Sequence, residues 1–390
     1  MTGCLTCRSI HYVYFMHQPN FSTVATLAGL VLATCQNPKD APVTNVPGFT
    51  VIHAVDSSRI YKPNSAATDY LHFRPIDIDL WYPAQSFNQD SVLTFGQALG
   101  LLESRANYYT ASTSGTGIST QYAKAFCEGV KCSTTDKLLQ QRTGTYKNAN
   151  IATRRFPLVL YMASFNGMSY ENIALLERLA KQGCIVASIS SIGGWPGDMT
   201  MKRKDLMEQV YDAMYALALL KKRSDVDSTR VGVIGYSWGG LAGAVLTTVQ
   251  PGIAALVSLD GSEFHHYGAD KQEDTDFNGI RDATAAHSVR VPYLRLESDQ
   301  RGDNSSEKIY NFSEKLGSTG RILRVKSAAH EDFSYLPTVV RQSGGCANTR
   351  TYDIVTKLTM SFLRDHLSNS TPHFDDSLKT ELNRTVQPRL

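Results

Sequence analysis

The chain has 390 residues, of which 42% are hydrophobic and 19% are charged, and this ordinary globular composition excludes an intrinsically disordered chain. Its 39 Lys and Arg against 36 Asp and Glu leave a net charge of +3 without a long basic run, so no nucleic-acid partner is expected. The length accommodates one domain with insertions and does not require two domains.

An apolar stretch at residues 24–33 precedes the first acidic residue, Asp40. It is shorter than the ~20 residues that span a bilayer, so it predicts an export signal. Met16 gives this signal a more compact start than Met1 does. The interpretation that remains open is a buried N-terminal helix.

The predicted signal ends at residues 32–35 in the sequence LATC, which resembles a bacterial lipoprotein signal. Thr34 departs from the Gly, Ala or Ser expected there, so a lipid on Cys35 and plain secretion both stay open. Residues 1–35 are predicted to be a leader, and residues 36–75 a tether and N-terminal segment. The expected location is periplasmic, secreted or attached to a membrane through the lipid.

Four cysteines lie beyond the predicted leader: Cys127, Cys132, Cys184 and Cys346. Cys127 and Cys132 are close together in a loop-like stretch, which in an oxidising compartment favours a local disulfide between them. Cys184 opens an apolar segment, so we expect a small buried hydrophobic side chain there.

The first clear element is at residues 76–82, where apolar and polar residues alternate and predict a strand with one face buried and the other exposed. Residues 85–152 lack an apolar period and are rich in Ser, Thr, Gly, Asn and Gln. They predict an insertion with short helices over the scaffold, placed to shape the substrate entrance.

After Pro157, apolar runs alternate with amphipathic helical patterns, which predicts an α/β fold with a mostly parallel, doubly wound sheet and helices on both faces. The catalytic domain is predicted at 76–367, with a second insertion at 262–288 and a loose polar tail at 368–390. The first expected elements, in chain order, are a strand at 158–163, a helix at 173–180, a strand at 184–190, a helix at 205–220, a strand at 231–236 and a helix at 241–249. They are followed by strands at 253–259 and 291–298, a helix near 304–316, a strand at 321–327 and a helix at 352–367.

A G-x-S-x-G motif, Gly235 to Gly239 around Ser237, lies between the strand at 231–236 and a helical pattern. In this setting the motif forms a nucleophile elbow, whose glycines let the backbone pass close to its neighbours. Ser237 is therefore the predicted nucleophile.

Serine needs a histidine to take its proton and an acid to orient that histidine, and both should follow Ser237 in the chain. His330 follows the strand at 321–327, where the base is expected. Asp260 and Asp299 each follow a strand end, and either could orient His330. Four other histidines after Ser237 lie in an insertion, before a strand or at a helix end: His265, His266, His287 and His366.

The segments PLVLYMASFNG, GYSWGG, LDG and HEDF together resemble the α/β-hydrolase branch that contains dienelactone hydrolases and platelet-activating-factor acetylhydrolases. The resemblance covers about residues 76–367, with 85–152 and 262–288 unmatched. It implies the α/β-hydrolase fold and cleavage of a carboxylic ester through an acyl-enzyme on Ser237. In acetylhydrolase-like members the acid maps to Asp260, and in dienelactone-hydrolase-like members to Asp299. We expect Asp260, because it closes an apolar strand one element after Ser237, and keep Asp299 as the alternative acid.

An oxyanion formed on the substrate needs backbone N–H donors, and in this architecture the residue after the nucleophile supplies one, here Trp238. The resemblance places the second donor at Phe165, in the loop after the strand at 158–163. The usual His-Gly start of that loop is replaced by Ala163-Ser164.

Residues 274–279 (DTDFNG) resemble the start of a calcium loop, but the twelfth position is Ala285 rather than Glu, so a solvated acidic loop is preferred. No glycine-rich nucleotide loop and no zinc spacing occurs, so neither a cofactor nor a metal is expected. The predicted substrate is a small-molecule or lipid ester, and the sequence predicts no particular oligomeric state. Two alternatives remain: an amidase or peptidase of the same fold, and a non-catalytic, surface-anchored binding protein.

Overall fold

The computed structural model describes the following residues: 46–69, 71–86, 88, 91–106, 117–191, 199–264, 268, 270–284, 288–299, 320–346, 349–382 and 385–388. The chain divides into two units, residues 1–43 and 44–390, and all described residues belong to the second. The predicted leader with Cys35 and the helix near 304–316 lie outside the described residues.

Twelve strands and ten helices make up the described part of the chain. The strands are β1 (Val46–Ile60), β2 (Phe73–Ser86), β3 (Val92–Thr94), β4 (Arg142–Lys147), β5 (Asn150–Ile151), β6 (Phe156–Met162), β7 (Ile185–Ile189), β8 (Val226–Tyr236), β9 (Ala255–Leu259), β10 (Tyr293–Ser298), β11 (Gly320–Val325) and β12 (Val386–Pro388). The helices are α1 (Phe95–Ala106), α2 (Ile118–Val130), α3 (Thr135–Gln140), α4 (Ile173–Lys181), α5 (Arg203–Leu220), α6 (Trp238–Val249), α7 (Lys271–Ala283), α8 (Leu336–Ser343), α9 (Arg350–Leu367) and α10 (Phe374–Glu381).

The described strands form one sheet in the order β12-β11-β10-β9-β8-β6-β7-β2-β1-β4-β3, with β5 paired to β2. Its centre is parallel, from β7 through β6, β8, β9 and β10 to β11. The neighbours β1 and β2 run antiparallel to each other, and β2 runs antiparallel to β7. The predicted mostly parallel α/β sheet is therefore confirmed.

Strand β6 shows why the sequence forms a sheet covered on both faces. Its side chains alternate between two buried cores, with Val159 and Tyr161 facing the core that includes α4 and α9. Leu158, Leu160 and Met162 face the other core, which includes α5 and α6. A strand buried on both faces reads as a continuous apolar run, which is the pattern the sequence shows.

Strand β2 differs from the prediction of an exposed polar face. Asp79 is completely buried. Arg105 of α1 donates two hydrogen bonds to its carboxylate and Ser169 donates a third, and these bonds offset the cost of burying the charge. Helix α1 belongs to the segment 85–152, so this predicted insertion covers the strand as well as adding β3 and β4 to the sheet edge. The polar position in the alternation of β2 is therefore a buried aspartate paired with an arginine, and not part of a solvent-exposed face.

Two other segments differ from the sequence-based expectation. Residues 274–279 are helical, within α7, where Asp270 caps the helix by accepting from two backbone amides and Phe277 is buried. They form neither a calcium loop nor a solvated loop, because helical geometry turns alternate side chains away from one another. In the tail at 368–390, α10 packs on α9 through Phe374, and β12 pairs with β11, so the tail is not loose.

The predicted pairing of Cys127 with Cys132 is wrong. Cys127 is a free thiol buried on α2, where it packs in the core one helical turn after Ala123. The chain leaves the helix through a left-handed residue, Lys131, and Cys132 then forms a disulfide with Cys346, which follows α8.

Among the helices described here, none is long and apolar enough to cross a membrane.

Candidate active site

Ser237 occupies a sharp turn between β8 and α6. Its φ of 54° and ψ of −120° are strained for a residue with a side chain. The turn requires the flanking glycines, since a Cβ atom on Gly239 would lie 2.6 Å from the Ala163 carbonyl oxygen, and one on Gly235 would lie 2.6 Å from the Gly240 nitrogen. Local geometry is thus that of the predicted nucleophile elbow.

Ser237, His330 and Asp260 form one chain of hydrogen bonds. His330 Nε2 lies 3.0 Å from Ser237 Oγ, and His330 Nδ1 lies 2.7 Å from Asp260 Oδ2. The three residues meet because they follow β8, β11 and β9, whose carboxyl ends lie at the same edge of the parallel sheet. Asp260 is completely buried, and its Oδ1 accepts from the Ser298 amide at 3.0 Å.

Asp299, the alternative acid, has a different partner. Its Oδ2 accepts from the Ser327 amide at 3.2 Å, and its own amide donates to the Ala328 carbonyl. Asp299 therefore braces the segment that leads to His330, while Asp260 is the carboxylate in contact with the imidazole.

The His330 ring has one covered and one open side. It stacks on Tyr236 with ring centroids 5.2 Å apart, and its side chain is 34% exposed. The stacking fixes the ring plane, and about a third of the side chain remains open to solvent. A general base needs such partial exposure so that water or substrate can reach it.

A buried arginine that sequence analysis missed lies beside Asp260. Arg295 is completely buried in β10, with Nη2 3.7 Å from Asp260 Oδ1 and Nη1 donating to the Gly261 carbonyl at 2.7 Å. Burial lowers the pKa of this guanidinium, but the charges of Glu263, Tyr293 and Asp260 outweigh burial and raise it above its usual value. A charged residue inside an apolar strand pattern was the available signal.

The two predicted oxyanion donors are the backbone amides of Trp238 and Phe165. Trp238 is the first residue of α6, so its N–H has no acceptor in the preceding turn of the helix. Phe165 lies in the loop after β6, and its ring meets the Trp238 ring edge to face at 5.9 Å. In the described part of the chain, neither amide donates a hydrogen bond to another protein group.

A buried carboxyl group beneath this loop was also missed. Glu171 lies in a short 3-10 turn before α4, and its Oε1 accepts from the Ser164 amide at 2.8 Å and from the Tyr161 hydroxyl at 2.7 Å. Its Oε2 accepts from the Ser164 hydroxyl at 2.5 Å. Burial raises the pKa of Glu171 to about 7, although these hydrogen bonds partly oppose the shift. Nothing in the local sequence SYEN distinguishes this residue from an exposed helix-start glutamate.

Residues 145–279 match the model of the dienelactone hydrolase family. A ferulic acid esterase from Streptomyces cinnamoneus has a similar structure, with a TM-score of 0.58 over 90% of this chain and 98% of that chain, at 20% sequence identity. No curated protein sequence matches the chain.

The chain has the α/β-hydrolase fold. Residues 145–279 resemble the dienelactone hydrolase family, as the sequence motifs predicted, and the two comparisons support the predicted class of carboxylic ester hydrolase. Within the residues that the structure covers, no group of three His, Cys, Asp or Glu side chains is arranged to hold a metal ion.

Proposed function

We propose that this α/β-hydrolase cleaves a carboxylic ester through an acyl-enzyme on Ser237, with His330 as the base and Asp260 as the acid. The observation that carries the proposal is the unbroken series of hydrogen bonds from Ser237 Oγ through His330 to Asp260. Serine is a weak nucleophile until a neighbouring base takes its proton, and His330 Nε2 is within reach to do so.

In the first half of the reaction, Ser237 Oγ attacks the ester carbonyl while its proton passes to His330 Nε2. The tetrahedral intermediate carries a negative oxygen, to which the Trp238 and Phe165 amides donate hydrogen bonds. The intermediate then collapses, the bond to the alcohol oxygen breaks, and His330 returns the proton to the departing alcohol. Ser237 is left carrying the acyl group.

In the second half, a water molecule enters and its oxygen attacks the acyl carbonyl, while His330 Nε2 takes a proton from the water. A second tetrahedral intermediate forms with its oxyanion at the same two amides. Its collapse releases the carboxylic acid, and the proton goes from His330 back to Ser237 Oγ. Throughout, Asp260 accepts from His330 Nδ1, which keeps Nε2 free to act as a base and stabilises the imidazolium that forms.

The substrate class rests on the family comparison, because the same constellation can also cleave an amide. We therefore propose an ester substrate, and a panel of p-nitrophenyl esters of graded acyl length, methyl ferulate and a chromogenic peptide amide tests it. Ester turnover without amide turnover supports the proposal. Turnover of the amide alone would replace it with the amidase alternative.

Variants assign the roles. Ser237→Ala should lower kcat for the best ester by at least about 10³-fold, and Asp260→Asn should lower it by about 10²- to 10⁴-fold. Asp299→Asn is the matched control, since the Asp299 carboxylate accepts from the Ser327 amide, whereas the Asp260 carboxylate accepts from the imidazole itself. If Asp299→Asn were as damaging as Asp260→Asn, or Ser237→Ala left turnover intact, the proposed roles would be wrong.

We also propose that the protein is exported, with Cys35 as the candidate site of a lipid. The Cys132–Cys346 disulfide supports export, because such bonds persist in oxidising compartments. Expression of the full chain in a bacterium, with the N-terminal mass measured in each cell fraction, tests this. A mature N-terminus at Cys35 with added lipid mass supports anchoring, and an unlipidated mature chain outside the cytoplasm supports secretion. An unprocessed chain confined to the cytoplasm contradicts export.

A further inference from the structure

We infer that Glu171 is a positioning residue for acyl transfer, whose carboxylate holds the turn at 164–167 so that the Phe165 amide faces the substrate oxyanion. The inference rests on the proposed function, since it assigns a device that supports the second oxyanion donor. The hydrogen bonds of Glu171 go to Tyr161 and Ser164 and not to Ser237, His330 or Asp260, although the charge of His330 lowers the Glu171 pKa.

The turn is held from several sides, and Glu171 provides its innermost attachment. Gly167 N donates to the Ser164 carbonyl at 2.8 Å, closing the turn, and Asn166 adopts the left-handed φ of 53° that asparagine tolerates. The Ser164 amide and hydroxyl both point inward to Glu171. The next amide, that of Phe165, has no protein acceptor among the described residues.

The packing leaves no room for an alternative arrangement of this turn. A Cβ atom on Gly167 would collide with Glu171 Oε2 and with Ser164 Oγ, so only glycine allows the carboxylate to sit this close. On the other side, the Ala163 carbonyl accepts from the Gln209 amide group at 2.9 Å, and it lies against Gly239 of the nucleophile elbow. A shift of the turn would therefore move the Phe165 amide relative to Ser237.

Burying a carboxyl group here is costly, which argues that it has a task. Glu171 is 2% exposed, and among the described residues no Lys or Arg is one of the groups that act on its carboxylate. Three hydrogen-bond donors, two of them on Ser164, are its compensation. A leucine or methionine would fill the same space without the desolvation cost, but it would leave the Ser164 amide unpaired.

The kinetic signature of such a residue differs from that of a merely structural one. The oxyanion exists in the transition state and not in the bound ester, so a misplaced donor weakens transition-state binding alone. A loss of positioning thus lowers kcat while KM stays nearly constant. Affinity for a trifluoromethyl ketone, whose adduct with a serine mimics the tetrahedral intermediate, should fall in parallel with kcat.

The test uses the full chain with four variants assayed on p-nitrophenyl butyrate. Glu171→Met, which removes both acceptor oxygens, should lower kcat about 10- to 100-fold with KM changed less than about 3-fold. Glu171→Gln keeps an acceptor for the Ser164 amide and should retain kcat within about 5-fold. Ser164→Ala, which loses one of the two Ser164 bonds, should fall between them. Ser169→Ala is the matched control, because this buried serine of the same 3-10 turn bonds to Asp79 instead.

The outcomes separate the inference from the proposed function. If the unmodified chain hydrolyses the ester and Ser237 is labelled, but Glu171→Met and Ser164→Ala keep full kcat and inhibitor affinity, the inference is overturned and the function stands. If Glu171→Met does not fold, Ser164→Ala and Glu171→Gln decide. A kcat loss in Ser164→Ala with constant KM supports the inference, and no loss overturns it. If the unmodified chain has no ester turnover, the proposed function itself fails.

Discussion

Replacing Glu171 with glutamine should change how the stability of the protein depends on pH. Burial raises the pKa of Glu171 from 4.5 to about 7 in the folded chain. Between these two values the unfolded chain has released the proton while the folded chain still holds it, so unfolding releases a proton. The free energy of unfolding therefore falls as pH rises through this window, at about 1.4 kcal/mol per pH unit.

From pH 5 to pH 8 the expected loss from this single group is about 2 to 3 kcal/mol. Glutamine carries no charge at either pH, so the loss should be absent from the variant. The other ionisable groups that face Glu171 are His330 and the hydroxyls of Tyr161, Tyr170 and Tyr236, and all are present in both proteins. Burial raises the pKa values of these tyrosines, so they remain neutral over the range.

The measurement is urea unfolding followed by circular dichroism at pH 5, 6, 7 and 8, with the disulfide intact, for the unmodified chain and Glu171→Gln. We expect the difference between the two unfolding free energies to shift by about 2 to 3 kcal/mol across the series, in favour of the variant at high pH. Parallel pH dependences would show that Glu171 titrates normally in the folded protein and would refute the reasoning.

Three further changes test the fold around the site. Gly239→Ala should lower the free energy of unfolding by about 2 to 4 kcal/mol, and with it the melting temperature, because the added Cβ would press on the loop after β6. Its control is Gly100→Ala on α1, where the added Cβ meets open space and should be neutral or stabilising by up to about 1 kcal/mol. Arg295→Met should lower the free energy of unfolding in urea by about 3 to 5 kcal/mol, because it leaves the surrounding buried carboxylates without a positive partner. Replacing Cys132 and Cys346 together with serine should cost about 2 to 5 kcal/mol, since the bond closes a loop across 214 residues; an unchanged melting temperature would show that it contributes nothing.

Periodicity and turn chemistry predicted the elements that position the site. The apolar run of β6 and the four- and three-residue spacing of Leu206, Val210 and Ala213 in α5 each predicted the element that forms, and all three of those α5 residues are buried. The G-x-S-x-G motif between a strand and a helix predicted the strained turn at Ser237. These signals are local, so one sequence is sufficient to read them.

Features that depend on distant partners were not predictable in the same way. The alternation in β2 predicted an exposed face. The structure buries Asp79 instead, because it pairs with Arg105, and this partner lies 26 residues later in a segment without a clear pattern. Likewise, sequence proximity favoured Cys127 as the partner of Cys132, whereas the helix directs Cys127 into the core. The role of Glu171 depends on a turn seven residues earlier that no motif marks.

The central claim, that Ser237 is the nucleophile of an ester hydrolase, is tested most directly by reaction of the full chain with an alkyl fluorophosphonate. Intact-mass and peptide mass spectrometry would locate the adduct while ester turnover is followed in the same sample. The account predicts one adduct per chain, on Ser237, with turnover lost in proportion to labelling and no adduct in Ser237→Ala. Sustained ester hydrolysis by a chain that carries no adduct on Ser237, or an adduct on another serine that alone abolishes turnover, would contradict it.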